Sequence, residues 1–142
     1  MALAVAERLQ KDVSNPASPV VKVFYPPLSD TAGNYSAFMR QPTADFTPGH
    51  GCLLSIEFED LDSTIAFYDN LEVHQGPHLG AHLSLVLPYN AITYGREPEE
   101  EEYHASYGLR EPQVRISVGL ETVEFALAKA EEVKTNRSGR SS

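Results

Sequence analysis

The run from Gln113 to Glu121 constrains the fold more than any other part of the chain, because apolar and polar residues alternate along it. Successive side chains of a β-strand point to opposite faces of the sheet. Gly119 ends the alternation. The run therefore predicts a strand with one face on a core and one in solvent. Its apolar side is Val114, Ile116 and Val118, and its polar side is Gln113, Arg115 and Ser117.

Arg115 lies in the middle of this predicted strand and has two interpretations. A guanidinium held on a rigid element can bind both oxygens of a carboxylate at once, because its donors form a planar fork. An arginine on the solvent face of a half-buried strand is equally compatible with the alternation. The strand pattern taken alone favours this second interpretation.

Composition and charge exclude several classes of function. With 142 residues, 42% of them hydrophobic, the chain can form one domain with a core of its own. Its net charge of −9 predicts no nucleic-acid partner, and no apolar run is long enough to predict a membrane partner. The single cysteine, Cys52, rules out a disulfide within the chain and indicates a reducing compartment. We therefore expect a cytoplasmic protein.

Periodicity along the chain predicts helices that alternate with short strands. Helices are expected at 2–13, 61–71 and 99–107, with a short one at 35–40 inside a long polar connection, and strands at 20–25, 52–58, 83–87 and 113–118. A last helix is expected after Thr122, with an apolar face formed by Val123, Ala126, Leu127, Ala130 and Val133. Short strands with one polar face predict an α+β fold, a small mainly antiparallel sheet with helices on one side.

The first helix has a clear end and no clear start. Ser14 to Pro16 would stop it, but no capping residue precedes the apolar pattern, which is already running at Met1. One interpretation is a helix cut in its middle, with more protein expected upstream. The other is a naturally frayed first helix. The helix pattern leaves both open.

Two candidate reactive groups are weak. The spacing of His74, His78 and His82 would place them on one face of a helix, but Gly76, Pro77 and Gly80 interrupt any such helix. No carboxylate or second cysteine completes a ligand set, so no metal site is predicted. Cys52 falls on the apolar side of its predicted strand, where a free cysteine acts as a small hydrophobe.

Ser84 and Arg115 are the remaining candidates. Each follows a turn-rich loop and lies between apolar residues of a predicted strand. If the two strands are neighbours, a hydroxyl and a guanidinium could converge on one anion. The pair predicts a binding site and not a reaction centre, because no nucleophile or acid–base pair accompanies it.

The segments that carry these residues resemble a known family. Gly80–Leu85 and Leu109–Glu121, with Ala2–Glu7 and Val20–Pro26 before them, are similar in sequence and order to the C-terminal domain of the trans-sulfuration enzymes. These are the pyridoxal-phosphate-dependent enzymes of cysteine and methionine metabolism: cystathionine γ-synthase, cystathionine lyases and homoserine sulfhydrylases. The resemblance covers residues 1–135 and excludes a polar tail, 136–142, which is expected to be disordered. It implies the α+β C-terminal domain of a fold-type I pyridoxal phosphate enzyme.

The resemblance also implies roles for three residues. Arg115 takes the position of the arginine that binds the α-carboxylate of the amino-acid substrate, and Ser84 that of a serine near the same carboxylate. Leu83 stands at a specificity position where lyases often have glutamate, which puts lyase-type specificity in doubt. Ala81 replaces the family's second glycine.

The family's cofactor machinery has no counterpart in this sequence. The Ser-x-Thr-Lys segment is absent, and Lys11, Lys22, Lys129 and Lys134 stand in other contexts. The resemblance therefore implies pyridoxal phosphate for the parent family but no covalent attachment to this chain. Whether the chain is an enzyme is left open, because it is not expected to be catalytic alone.

The expected function is that of a truncated or split trans-sulfuration protein of sulfur amino-acid metabolism. It would supply the carboxylate-binding domain to a chain that carries the cofactor domain, or to a full-length homologue, in a family that is usually homotetrameric. Two alternatives are a non-catalytic remnant that modulates a homologue and an inert structural fragment.

Overall fold

A computed structural model describes residues 1–93 and 98–121 of the chain. The described helices are α1 (Ala2–Val13), α2 (Ala32–Phe38), α3 (Leu61–Asn70), α4 (Tyr89–Thr93) and α5 (Pro98–Ser106), with a 3₁₀ turn at Pro26–Leu28. The strands are β1 (Val20–Phe24), β2 (Leu53–Phe58), β3 (His74–Gln75), β4 (Leu85–Leu87) and β5 (Gln113–Ser117). The predicted last helix and the polar tail lie outside the described residues.

The five strands form one sheet in the order β1-β2-β5-β4-β3. All neighbours are antiparallel except β3 and β4, which run parallel. The alternating strand of the sequence, β5, is therefore the central strand. A mainly antiparallel sheet is confirmed, although the two-residue β3 lies in a segment for which the sequence predicts only a loop.

The core lies on one face of the sheet, under α1 and α3. Helix α1 presents its apolar stripe to this face because its buried residues recur at helical spacing. Phe67 of α3 packs against Phe58 of β2, with ring centroids 5.0 Å apart. Helices α1 and α3 therefore cover the same face, as predicted, whereas α4 lies on the opposite face, where its Tyr89 ring contacts Arg115. The core cluster includes Val5, Ala6, Leu9, Val23, Leu54, Ile56, Val86, Val114 and Ile116.

Local signals in the sequence locate the start of α3 and the end of α5, whereas α2 begins at Ala32 and ends at Phe38, earlier than the predicted 35–40. The Asp60 carboxylate accepts the backbone N–H of Ser63 at 2.7 Å and caps α3. Helix α5 is followed by Gly108 at φ +82°, a conformation that glycine adopts without steric cost. Helix α4, which begins directly after Pro88, is absent from the sequence prediction.

The second face of the sheet is not the solvent face that the alternation predicts. Glu57, Gln113 and Ser117 are 6%, 5% and 2% exposed. They are buried because each finds a polar partner within the chain, as described below. Arg115 on the same face is half-buried. No helix among the described residues is long and apolar enough to cross a membrane.

Beyond the end of β5 the backbone comes very close to the loop that precedes β4. The Leu120 N–H donates to the carbonyl oxygen of His82 at 2.9 Å. A Cβ at Gly119 would collide with the backbone of His82 and Leu83 and with the Glu121 carboxylate. Glycine is therefore required at position 119 for space.

The fold predicts that Gly119→Ala destabilises the chain by about 1–3 kcal/mol, because the added methyl group forces two backbone segments apart. The measurement is the urea unfolding midpoint. Gly33→Ala is the matched control, because a Cβ at that position in α2 meets nothing within 4 Å. Equal stability of Gly119→Ala and the parent chain would contradict the close approach.

Candidate functional site

Arg115 occupies the middle of the central strand and faces away from the core. Its register partners are Ser55 on β2 and Leu87 on β4. Residues directly opposite each other in antiparallel strands point to the same face of the sheet. Arg115 is only half-buried, so its stem packs against the sheet while its guanidinium can reach solvent.

The Arg115 guanidinium makes two contacts with the chain. Nη2 donates to the carbonyl oxygen of Pro77 at 2.9 Å. Its Cζ atom lies 4.8 Å from the centroid of the Tyr89 ring, a cation–π distance. A guanidinium has five N–H donors, and within 1–93 and 98–121 the Pro77 carbonyl is the one hydrogen-bond acceptor it contacts. The remaining donors can bind a ligand.

A buried polar network lies beside Arg115 on the same face. Glu57 Oε1 accepts from Arg110 Nη1 at 2.8 Å, and Glu57 Oε2 accepts from Gln113 Nε2 at 3.0 Å. Asn90 Nδ2 donates to Gln113 Oε1 at 3.2 Å and to the Arg110 carbonyl at 2.6 Å. The network therefore ties β2, the start of β5 and helix α4 together. It also explains why two polar residues of the predicted solvent face are buried.

Ser84 lies just before β4, at the other end of the central strand. Its hydroxyl donates to Glu121 Oε2 at 2.9 Å and accepts the Gly119 N–H at 3.0 Å, while its own N–H donates to Glu121 Oε1 at 2.5 Å. The two strands are neighbours, as the hypothesis of a shared anion requires. However, the partner of Arg115 is Leu87, three positions beyond Ser84. In this structure Ser84 binds a carboxylate of its own chain, and half-buried Leu83 precedes it.

The contacts with Ser84 change the pKa of the Glu121 carboxyl. Burial would raise its pKa, but hydrogen bonds from the Ser84 N–H, the Glu121 backbone N–H and the Ser84 hydroxyl favour the charged form, as does nearby His74. The net result is a lowered pKa. Glu121 is therefore held as a carboxylate that closes the loop before β4 onto the end of β5.

The loop from Gly76 to Ser84 is fastened to β5 along its length. Arg115 holds the Pro77 carbonyl, and the Ser117 hydroxyl accepts the Gly80 N–H at 3.0 Å. Glu121 holds Ser84 at the far end. The polar side chains of the central strand thus position the loop that borders the candidate site.

None of the remaining candidates of the sequence contacts Arg115 in the described residues. Cys52 is half-buried, with Sγ 3.9 Å from Ser117 Oγ. His74 lies in β3, and His78 and His82 are exposed in the loop. In the part of the chain that the structure describes, no three His, Cys, Asp or Glu side chains are grouped so as to hold a metal ion.

Sequence reasoning missed Tyr89 and the buried network. Pro88 reads as the end of a strand, although proline also favours the start of a helix and could have indicated α4. Asn90, Gln113 and Glu57 are far apart in sequence, and no local signal joins them.

Sequence comparison finds relatives of this chain. A cystathionine γ-synthase-like protein of Aspergillus thermomutatus is 37% identical over 120 residues, which are 84% of this chain and 19% of that protein. An alanine racemase of Aspergillus violaceofuscus is 32% identical over 135 residues, 90% of this chain and 22% of that protein. The chain spans about a fifth of the length of these curated relatives. No protein-family model matches it.

Structure comparison finds the same fold in solved proteins. The cystathionine γ-synthase of Xanthomonas oryzae pv. oryzae, crystallised in complex with cystathionine, superposes with a TM-score of 0.65. The match covers 94% of this chain and 33% of that one, at 23% sequence identity. At that identity the likeness shows the fold alone. It confirms the α+β architecture that the sequence resemblance implies.

The Glu121 contacts predict a pH-dependent loop closure. Because the folded-state pKa lies below the ordinary value of 4.5, the stabilisation is fully present above that pH and is lost as the pH falls through the folded-state pKa. Glu121→Gln should lower stability near neutral pH and flatten this acid dependence. The measurement is the urea midpoint from about pH 6 to about pH 3.

Glu100→Gln, at an exposed position of α5, is the control for the Glu121 experiment. It should keep the acid dependence of the parent chain. An acid dependence that is equally steep in Glu121→Gln would contradict a stabilising role of the Glu121 carboxylate.

Proposed function

Because this chain belongs with the trans-sulfuration enzymes as a counterpart of their C-terminal domain, we propose that it supplies the group that binds the α-carboxylate of an amino-acid substrate. The parent family depends on pyridoxal phosphate. The proposed role is recognition of the substrate, with the chemistry performed by a cofactor held elsewhere.

The observation that carries this proposal is the setting of the Arg115 guanidinium. It stands on the central strand, with its Cζ atom over the Tyr89 ring and one N–H on the Pro77 carbonyl. Its other donors can form the paired, charge-assisted hydrogen bonds that a carboxylate accepts. Partial burial of the arginine strengthens these bonds relative to bulk water.

Ser84 and Leu83 have secondary roles in the proposal. The Ser84 N–H and hydroxyl already bind a carboxylate, that of Glu121. To assist with a substrate, Ser84 would exchange Glu121 for the ligand. Half-buried Leu83 would contribute an apolar wall at the specificity position.

The described residues do not fit a covalently bound pyridoxal phosphate. The lysines among them are Lys11 on α1 and Lys22 on β1, and both are exposed. Lys22 Nζ lies 4.7 Å over the Phe24 ring. Lys129 and Lys134 lie outside the described residues. We therefore assign no step of a reaction to the cofactor on this chain, and we place it in a separate cofactor domain.

That cofactor domain belongs either to another chain or to a full-length homologue, and the proposed setting is sulfur amino-acid metabolism. An α-carboxylate is common to the amino-acid substrates of the family, so Arg115 serves any of its reactions. The presence of a single cysteine, Cys52, fits a reducing compartment such as the cytoplasm.

The test is reconstitution of the complete chain with the cofactor domain of a related full-length enzyme. The proposal expects recovery of the cofactor absorbance and of turnover. Binding to a full-length homologue without turnover would instead support a modulator, and neither binding nor turnover would support an inert fragment. The coding sequence upstream of Met1 distinguishes one polypeptide from two, because an in-frame Ser-x-Thr-Lys segment would place both domains in one protein.

In the reconstituted enzyme, Arg115→Ala should raise KM for the amino-acid substrate strongly. The lost charge-assisted pair corresponds to about 2–4 kcal/mol. The measurement is steady-state kinetics over a range of substrate concentrations. Arg40→Ala, which removes an exposed arginine stacked on Phe46, is the matched control and should leave KM unchanged. An unchanged KM in Arg115→Ala would overturn the assignment.

A further inference from the structure

We propose that Tyr89 is a positioning residue for Arg115, which it holds in the orientation that presents its unused donors to a carboxylate. This inference rests on the proposed function and assigns a role to a residue outside the resemblance. The Arg115 Cζ atom lies 4.8 Å from the Tyr89 ring centroid.

Two contacts suffice to orient a planar group. The Arg115 Cζ atom lies over the Tyr89 ring, and the Pro77 carbonyl accepts one N–H from Nη2 at 2.9 Å. An arginine side chain is otherwise rotamer-rich, and ordering it on binding costs affinity. A guanidinium that is ordered before the ligand arrives avoids much of that cost.

The position of Tyr89 is itself set from the central strand. Asn90, the next residue of α4, is 5% exposed and donates to Gln113 Oε1 and to the Arg110 carbonyl. Gln113 lies two residues before Arg115, on the same face of β5. The helix that carries the ring and the arginine beneath it are therefore anchored to the same five-residue strand.

The buried Glu57 carboxylate completes this arrangement. It accepts from Gln113 and from Arg110, the two residues to which Asn90 donates. The polar network therefore has a structural role in the proposed site. It fixes helix α4 so that the Tyr89 ring lies over Arg115 and not elsewhere on the sheet.

The experiment uses the complete isotope-labelled chain and two NMR readouts. The first, which needs no ligand, is the rate of rotation of the Arg115 guanidinium about its Nε–Cζ bond. The second is the dissociation constant for L-norvaline, an unreactive α-amino acid, as the probe. Tyr89→Phe keeps the ring and should match the parent chain in both readouts.

Tyr89→Leu should speed the guanidinium rotation and weaken L-norvaline binding by about three- to tenfold. Tyr89→Met provides a second ring-free variant if the leucine variant does not fold, as judged by its amide spectrum. Tyr103→Leu, at a 61% exposed position of α5, is the control and should change neither readout. A Tyr89→Phe variant as impaired as the ring-free variants would overturn the stacking role.

Arg115→Lys distinguishes a failure of the proposed function from a failure of the positioning role of Tyr89. If Arg115→Lys binds L-norvaline as tightly as the parent chain, or if the parent chain does not bind L-norvaline, the proposed function fails. The rotation rate of the guanidinium then decides the role of Tyr89 alone. If binding depends on Arg115 while the ring-free variants match the parent chain in both readouts, the positioning role fails and the proposed function stands.

Discussion

The described structure depends on the buried carboxylate of Glu57, which lies on the face of the sheet opposite helices α1 and α3. A charged group at 6% exposure is stable only when its oxygens are paired. Arg110 and Gln113 satisfy one oxygen each, and Asn90 extends the network into α4. Removing the carboxylate would take away the acceptor of Arg110 Nη1 and one of the two acceptors of Gln113 Nε2, so the side-chain link from β2 into the network would be lost.

The central strand is consequently held at both of its ends. At its start, Gln113 belongs to the buried network. Beyond its end, the Gly119 N–H and the Glu121 carboxylate bind Ser84 and close the preceding loop. Arg115 lies between these two anchors, on a backbone with little freedom to shift. A side chain on such a backbone keeps its geometry through the contacts of the strand that carries it.

The sequence predicted what depends on local pattern and missed what depends on register. Strict alternation identified β5, and the apolar stripe of α1 and the Asp60 cap of α3 were readable from spacing alone. Alternation cannot tell a solvated polar face from one buried in a network, because the residue types are the same in both. The burial of Glu57 and the contact of Tyr89 with Arg115 arise from pairings between distant segments. The position of Arg115 was predicted, whereas the groups that orient it were not.

If Ser84 assists in the proposed carboxylate site, its bonds with Glu121 would affect ligand selectivity. An internal carboxylate competes at an effective concentration on the order of millimolar or higher, because it is tethered beside the donors it binds. A free acid that relied on Ser84 alone would have to displace this tethered competitor. Because Leu87, the register partner of Arg115, lies three positions beyond Ser84, only a ligand long enough to span that separation would gain Arg115 as a second point of attachment. The intramolecular bond would therefore lower the affinity of the site for anions that contact Ser84 alone.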